Sequence, residues 1–272
     1  WCHVMERESF EDQEVANYLN EHFISVKVDR EERPDVDEIY MTATQIINRG
    51  QGGWPMTVFL EPVDLKPFFA GTYFPKEDAG TRRGFMSILA FINDVWHNES
   101  EKVGQQADAI ANAVINRLTS NTETISLSLE IVNKGVSQLL TSHDRTKGGF
   151  STAPKFPMPI YCDFLMGVDW DNPLVQEAVK LTLDEMLMGG MYDQVGGGFH
   201  RYSTDANWLV PHFEKMLYDN AQLVSTYSNA YERTGELAYA RVISETLAYV
   251  NRELSAPEGG FFSAQDAETN HL

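Results

Sequence analysis

Apolar positions recur along the chain with two different periods, and the change between them divides it. Residues 11–22 place Val15, Ala16 and Leu19 at helical spacing with Phe23 just beyond, which predicts a helix. Residues 23–28 (FISVKV) are a short β-branched run ending in a charged turn at 29–34, the pattern of a strand. A second helix is predicted over 35–48, with Ile39, Tyr40, Ala43, Ile46 and Ile47 on its apolar side and a glycine-rich stop at 50–53. Residues 56–60 (MTVFL) then read as an apolar strand, and residues 67–73 as its hairpin partner. The order of helix, strand, helix, strand and strand predicts an α/β sandwich with a mixed sheet.

From residue 84 onward the period is helical almost throughout. Helices are predicted over 84–97, 99–119, 128–143, 173–189, 213–233 and 236–254, the second polar enough to serve as a bridge. Short polar strand-like pieces fall around 199–210. The Ser/Thr-rich stretch at 121–128 has no firm pattern and marks a boundary between domains at 1–120 and 121–272.

The second part carries a weak repeat. Gly148-Gly149-Phe150, Gly197-Gly198-Phe199 and Gly259-Gly260-Phe261 each follow a predicted helix. They lie about 50 to 60 residues apart, the length of one helix pair and its loop. Each glycine pair allows a tight turn, and each phenylalanine is expected to anchor in the core. A curved or closed array of αα-hairpins accounts for this pattern.

Composition narrows the functional classes. Forty acidic against 21 basic side chains give a formal charge of −19. Such a surface repels phosphate backbones, and no Lys/Arg cluster offsets it, so nucleic acid is not an expected partner. No apolar run approaches the ~18 residues needed to cross a bilayer, so no membrane association is expected. The two cysteines, Cys2 and Cys162, form no disulfide framework and suit a reducing compartment, the cytoplasm.

Two places carry candidate chemistry. Cys2 precedes a helical region, and a helix N-terminus favours a thiolate through its unpaired N–H groups and the macrodipole. Trp54-Pro55 follows a glycine loop and precedes an apolar strand; a proline there can turn cis and present its neighbour's backbone to the cysteine. Trp1, Cys2, Trp54 and Pro55 are therefore the candidate redox residues. In the second part, Asp193, His200, Arg201, Asp205, Trp208, His212, Glu214, Tyr218 and Asp219 crowd between residues 192 and 220. Paired carboxylates suit glycoside hydrolysis, and histidines near neutral pKa suit proton removal and return at a sugar carbon. Here His200, Asp205, His212, Glu214 and Asp219 are candidates for catalysis. Asp193, Arg201, Trp208, Tyr218, Gln265 and Asp266 are candidates for binding a small sugar ligand. The two histidines lack metal-site spacing, and no phosphate loop, dinucleotide fingerprint or nucleophile elbow is present, so neither metal nor cofactor is expected.

Long motifs carry a resemblance. The stretches Trp1-Cys2-His3-Val4-Met5-Glu6-Arg7-Glu8-Ser9-Phe10, Val28-Asp29-Arg30-Glu31-Glu32-Arg33-Pro34-Asp35 and Gly52-Gly53-Trp54-Pro55 resemble the thioredoxin-like domain of the spermatogenesis-associated protein 20 family. Ala153-Pro154-Lys155-Phe156-Pro157, the run from Tyr192 and Asp193 to Phe199, WLVPHFEKMLYDN from Trp208 and GGFFSAQD from Gly259 are also similar to it. The resemblance implies a thioredoxin-like α/β domain followed by an all-α six-hairpin (α/α) toroid similar to N-acylglucosamine 2-epimerases and glycosidases. Only about two of the six hairpins fall in this chain, so the toroid is expected to be incomplete. In the family motif, Cys-His-Trp-Cys, Cys2 matches the second cysteine, and the first would lie two residues ahead of Trp1. The implied activity is thiol–disulfide exchange with a redox partner protein, beside a carbohydrate-binding type of toroid. The alternatives are a sugar epimerase, isomerase or glycosidase-like enzyme, or a non-enzymatic binding protein.

Overall fold

A computed structural model describes residues 1–80, 82–119 and 128–267. The chain divides into two compact units, Trp1–Thr124 and Ile125–Leu272. The proposed boundary at 120/121 and most of the Ser/Thr-rich stretch lie outside the described residues.

Unit 1 begins in a helix. Helix α1 (Cys2–Met5) runs directly into a wider π-helical turn, Glu6–Phe10, so Cys2 occupies the first helical position. Asp12 then caps α2 (Gln13–His22), its carboxylate accepting the N–H groups of Glu14 and Val15. Pro34 sets the first turn of α3 (Pro34–Ile47) with its fixed φ and no N–H to satisfy. Arg49 and Gly50 follow with positive φ and turn the chain into the glycine loop. Strands β1 (Thr57–Leu60) and β2 (Pro67–Gly71) form an antiparallel pair, with Val58 opposite Ala70 and Phe59 opposite Phe69.

Helices α4 (Phe85–Asn98) and α5 (Ser100–Leu118) complete the unit. Rather than bridging, α5 lays Val103, Ala107, Ile110 and Val114, spaced at i, i+4, i+7 and i+11, against the hairpin and α3. Met5, Val15, Phe59, Phe68, Phe85, Ile88, Leu89 and Ile92 form its main core. One expectation fails here: residues 23–28 are in no ladder, and Ile24 and Val26 stand 92% and 77% exposed. Apolar alternation selects a strand only where another strand supplies backbone partners. Among the described residues β1 pairs only with β2, so the sheet of unit 1 is a hairpin and not the mixed sheet expected.

Unit 2 is an array of helices joined by glycine loops. It contains α6 (Leu129–Ser142), α7 (Pro159–Asp169), α8 (Pro173–Met188), α9 (Leu217–Thr234) and α10 (Leu237–Tyr249). The period-based reading passes over α7, a short helix opened by Pro159 and containing Gly167. Helix α9 begins at Leu217 and not at 213, because Lys215 and Met216 are drawn into a ladder. Two-residue strands lie between the helices: β3 (Tyr202–Ser203) with β4 (Pro211–His212), and β5 (Lys215–Met216) with β6 (Ala264–Gln265). Tyr192, Phe199, Trp208, Tyr227 and Tyr239 build an aromatic core with Leu165, Val179, Leu183 and Met186.

The glycine pairs turn as expected, with φ between 66° and 96° at Gly148, Gly149, Gly197, Gly198, Gly259 and Gly260. Phe150 and Phe199 are buried, but Phe261 is 55% exposed, so the third aromatic is not an anchor.

Candidate functional site

In unit 1 the thiol region forms where α1 starts beside the glycine loop. Cys2 is exposed, whereas Cys162 is fully buried in unit 2, where loss of water pushes its thiol up to about 12. The peptide bond Trp54-Pro55 is cis. Trp54 is fixed from two sides: its Nε1–H donates to Asp37 Oδ1 at 2.8 Å, and Arg30 sits 4.2 Å from its ring centre. Trp1 packs at 4.8 Å against Tyr73, whose hydroxyl donates to Glu8 at 2.6 Å. A groove of about 790 Å³ is lined by Trp1, Trp54, Pro55, Tyr73, Phe74 and Phe91 together with Arg82 and Arg83. The structure therefore brings Trp1, Trp54 and Pro55 to one groove, with Cys2 next to Trp1 in the chain.

In unit 2 the candidates separate into two groups. The first serves the loops. Asp193 accepts the N–H groups of Val195 and Gly196 and the Lys215 ammonium at 2.7 Å. Although burial opposes its charge, these donors hold its carboxyl down at about 2. Asp205 accepts three loop N–H groups, from Asn207, Leu209 and Val210, and is held low by them despite burial. Trp208 cannot stack on a ligand as expected, because it is fully buried and its indole N–H donates to Lys147 O. Gln265 lies in β6 and accepts the Tyr249 hydroxyl at 2.8 Å.

The second group converges without an evident structural duty. Arg201 donates to Glu214 Oε2 at 2.6 Å and is bonded to Tyr218. Burial opposes the Arg201 charge, but Glu214 outweighs it and raises its pKa. Asp219, on the first turn of α9, has its carboxyl pushed up to about 6 by burial, with Arg201 opposing and Glu214 adding to the rise. His212 stacks on Tyr202 with 4.8 Å between ring centres, and Tyr202 in turn faces Phe156 at 4.9 Å. The buried Nδ1 of His212 has no hydrogen-bond partner, and its nearest carboxylate oxygen, on Glu214, is 4.0 Å away. Burial lowers its pKa, with Glu214 opposing. Asp266 is exposed and its charge reaches His212. His200 stands apart: it is buried edge-on to Phe213, bonded through Nδ1 to the Phe213 carbonyl, and its pKa is lowered by burial.

Sequence reasoning missed Tyr202, which had no motif to mark it. It also missed the partnership of Lys155 and Lys215 with the loop aspartates. The signal was present, since Asp144 and Asp193 each stand four residues before a Gly-Gly pair. Among the described residues, no group of three His, Cys, Asp or Glu side chains is placed to hold a metal ion. No helix among them is long and apolar enough to cross a membrane.

An α/β unit with an exposed cysteine at a helix start, followed by helical hairpins, defines the class: a thioredoxin-like domain joined to part of an all-α array. Comparison with known proteins agrees. The family model Thioredox_DsbH, described as a protein of unknown function, DUF255, matches residues 1–115. Spermatogenesis-associated protein 20 of Homo sapiens is 45% identical over 99% of this chain and 35% of its own length. The protein of that name from Mus musculus is also 45% identical over the same shares. The chain belongs to the spermatogenesis-associated protein 20 family and spans about a third of the length of these relatives. Among solved structures it is similar to a cellobiose 2-epimerase from Spirochaeta thermophila, with 20% identity, a TM-score of 0.43, and 51% of this chain and 40% of that one covered. A sugar epimerase from a ruminal bacterium gives 12% identity and a TM-score of 0.45 over 52% and 41%.

Proposed function

We propose that unit 1 carries out thiol–disulfide exchange at Cys2. The observation that carries this reading is an exposed thiol on the first residue of a helix, beside a groove walled by Trp1, Trp54 and Pro55. The thiolate is the attacking form. The Cys2 thiolate attacks one sulfur of a partner protein's disulfide. A new S–S bond joins Cys2 to the partner, the old S–S bond breaks, and the partner's other sulfur leaves as a thiolate that takes a proton from water. A second thiol attacking this mixed disulfide completes the transfer of two electrons. The family motif puts such a thiol two residues ahead of Trp1. Cys162 does not serve, since it is buried in the other unit.

The test compares the folded 272-residue chain with the same chain in urea, using a disulfide-bonded peptide and reading the adduct by mass. The adduct should form on Cys2 faster in the folded chain than in urea, because only the folded groove holds the peptide beside the thiol. It should vanish in Cys2→Ser, leaving Cys162 unmodified. Equal rates folded and unfolded would sink the reading.

A second reading is favoured by Asp219, whose carboxyl is pushed up to about 6 by burial, near the Arg201 and Glu214 charges. Such a set can give and take a proton at a hydroxyl-rich ligand. A panel of mono- and disaccharides should include one that raises the melting temperature of the chain but not of Asp219→Asn. Equal shifts in both proteins, or none in either, would exclude this assignment.

A further inference from the structure

The groove beside Trp54 and Pro55 is lined by both aromatic and cationic side chains, and that mixture bears on what enters it. One part of the wall is aromatic, from Trp1, Trp54, Phe74 and Phe91, and Trp1, Trp54 and Phe91 are 62%, 43% and 43% exposed. The same lining includes Arg82 and Arg83, both exposed. Among the described residues neither arginine is in a salt bridge, and Arg83 lies 5.4 Å from the Phe91 ring centre. Two carboxylates of this region have other partners. Glu8 accepts the Tyr73 hydroxyl, while Asp78 accepts the Gly84 N–H and lies within reach of the Arg83 charge. Two adjacent guanidinium groups outside the ion pairs of the described residues are unusual in a chain of net charge −19. Carboxylates also border the groove, Asp37 bonded to Trp54 and Glu8 to Tyr73, so Arg82 and Arg83 mark the stretch of its lining suited to an anion.

We propose that this groove selects an extended polypeptide segment in which an aromatic or aliphatic side chain is followed closely by carboxylates. This rests on the thiol reading and names the partner class for the same site. The apolar side chain lies on the Trp1, Trp54 and Phe91 surfaces, replacing water on both sides. The carboxylates meet Arg82 and Arg83, whose planar forks match carboxylate geometry in a way that lysine would not. The partner's disulfide is thereby delivered to Cys2 by recognition of the chain that flanks it.

Binding can be measured apart from chemistry with three labelled peptides that lack cysteine. They share one aromatic core flanked by two Asp, two Asn or two Lys residues, and fluorescence anisotropy reads their affinity for the full 272-residue chain. The Asp peptide should bind about five- to tenfold more tightly than the Lys peptide at low salt, as two partly exposed charge contacts allow. In Arg82→Glu/Arg83→Glu that order should reverse, while the rate of Cys2 exchange with a small uncharged disulfide stays unchanged. Equal affinities for all three peptides, with Cys2 exchange intact, would overturn the inference and leave the thiol reading standing. Loss of Cys2 exchange with the peptide preference intact would overturn the thiol reading instead. A single-stranded oligonucleotide of equal charge that competes as well as the Asp peptide would mark a general anion site and also overturn the inference.

Discussion

The glycine loops at Gly148 and Gly197 are built from the same parts, and the loop at Gly259 is not. In the first, Lys155, fully buried, donates to Asp144 Oδ2, Gly148 O and Ala206 O and lies over the Trp208 ring. In the second, Lys215 donates to Asp193 Oδ2 and Gly197 O and lies over Tyr249. Each lysine also pairs through its backbone with a later residue, Lys155 with Ser203 and Lys215 with Gln265. In the third loop Ala256 stands where the aspartate would be, bonded through its N–H to Gly260 O as Asp144 is to Gly149 O. One small difference separates the first two. Thr182 accepts the Gly149 N–H, while the buried Thr246 hydroxyl on α10 has no partner.

The duplication shows which polar residues hold the fold together. Asp193 and Lys215 have counterparts in Asp144 and Lys155, so their charge is explained by the loop and not by a ligand. Arg201, Glu214, His212 and Asp219 have no such counterpart, and they remain as the group open to chemistry.

Removing a staple should have the largest effect. Lys155→Met leaves Asp144 and two carbonyls without their donor, a loss of about 3–5 kcal/mol on the scale of broken buried pairs. Urea denaturation of unit 2 should register it. Lys215→Met should fall in the same direction by somewhat less, because Lys215 has one fewer acceptor. If either variant melts like the wild type, the loops are not the staples described here.

Glycine substitutions sharpen the contrast among the three loops. A Cβ at Gly149 would sit 2.7 Å from Trp208 and one at Gly198 2.5 Å from Tyr249, while Gly260 opens onto empty space. All three have positive φ, so each alanine carries the backbone penalty of about 1 kcal/mol, but only the first two add overpacking of about 1–3 kcal/mol. Gly149→Ala and Gly198→Ala should therefore lower the melting midpoint well beyond Gly260→Ala. Equal losses at all three positions would show that backbone strain alone matters.

Much of this was legible in the sequence, and what was not has a physical cause. Helices such as α5 and α8 were readable because each buries one continuous stripe, as Val103, Ala107, Ile110 and Val114 do. The glycine pairs were readable because few residues other than glycine adopt positive φ in succession. Residues 23–28 misled because a strand is defined by its partner, which local pattern does not contain. Trp208 misled for a related reason: an indole among polar residues reads as a stacking platform until its burial against Lys155 is known. Asp219 is a candidate in the sequence by its position among polar neighbours. Its raised pKa depends on which groups surround it in three dimensions.

Asp219 also gives the smallest effect and the sharpest test of the division between loop residues and site residues. Its folded pKa, about 6, lies above the ordinary carboxyl value of 3.8. A carboxyl raised on folding binds its proton more tightly in the native state, so it contributes stability below the unfolded value and loses that contribution as pH rises through about 6. Asp193 behaves oppositely: held at about 2, it contributes above the unfolded value and loses that contribution only in strong acid. Between pH 4 and 7 the wild-type chain should therefore lose about 1 kcal/mol through Asp219, a figure reduced from the full shift because the group is partly exposed. Asp219→Asn should flatten that slope, measured by urea midpoints across the range, and should leave the acid limb near pH 2 in place. A slope unchanged by the substitution would mean that Asp219 is solvated like any surface carboxylate, and the group around Arg201 would lose its one residue poised to exchange a proton near neutral pH.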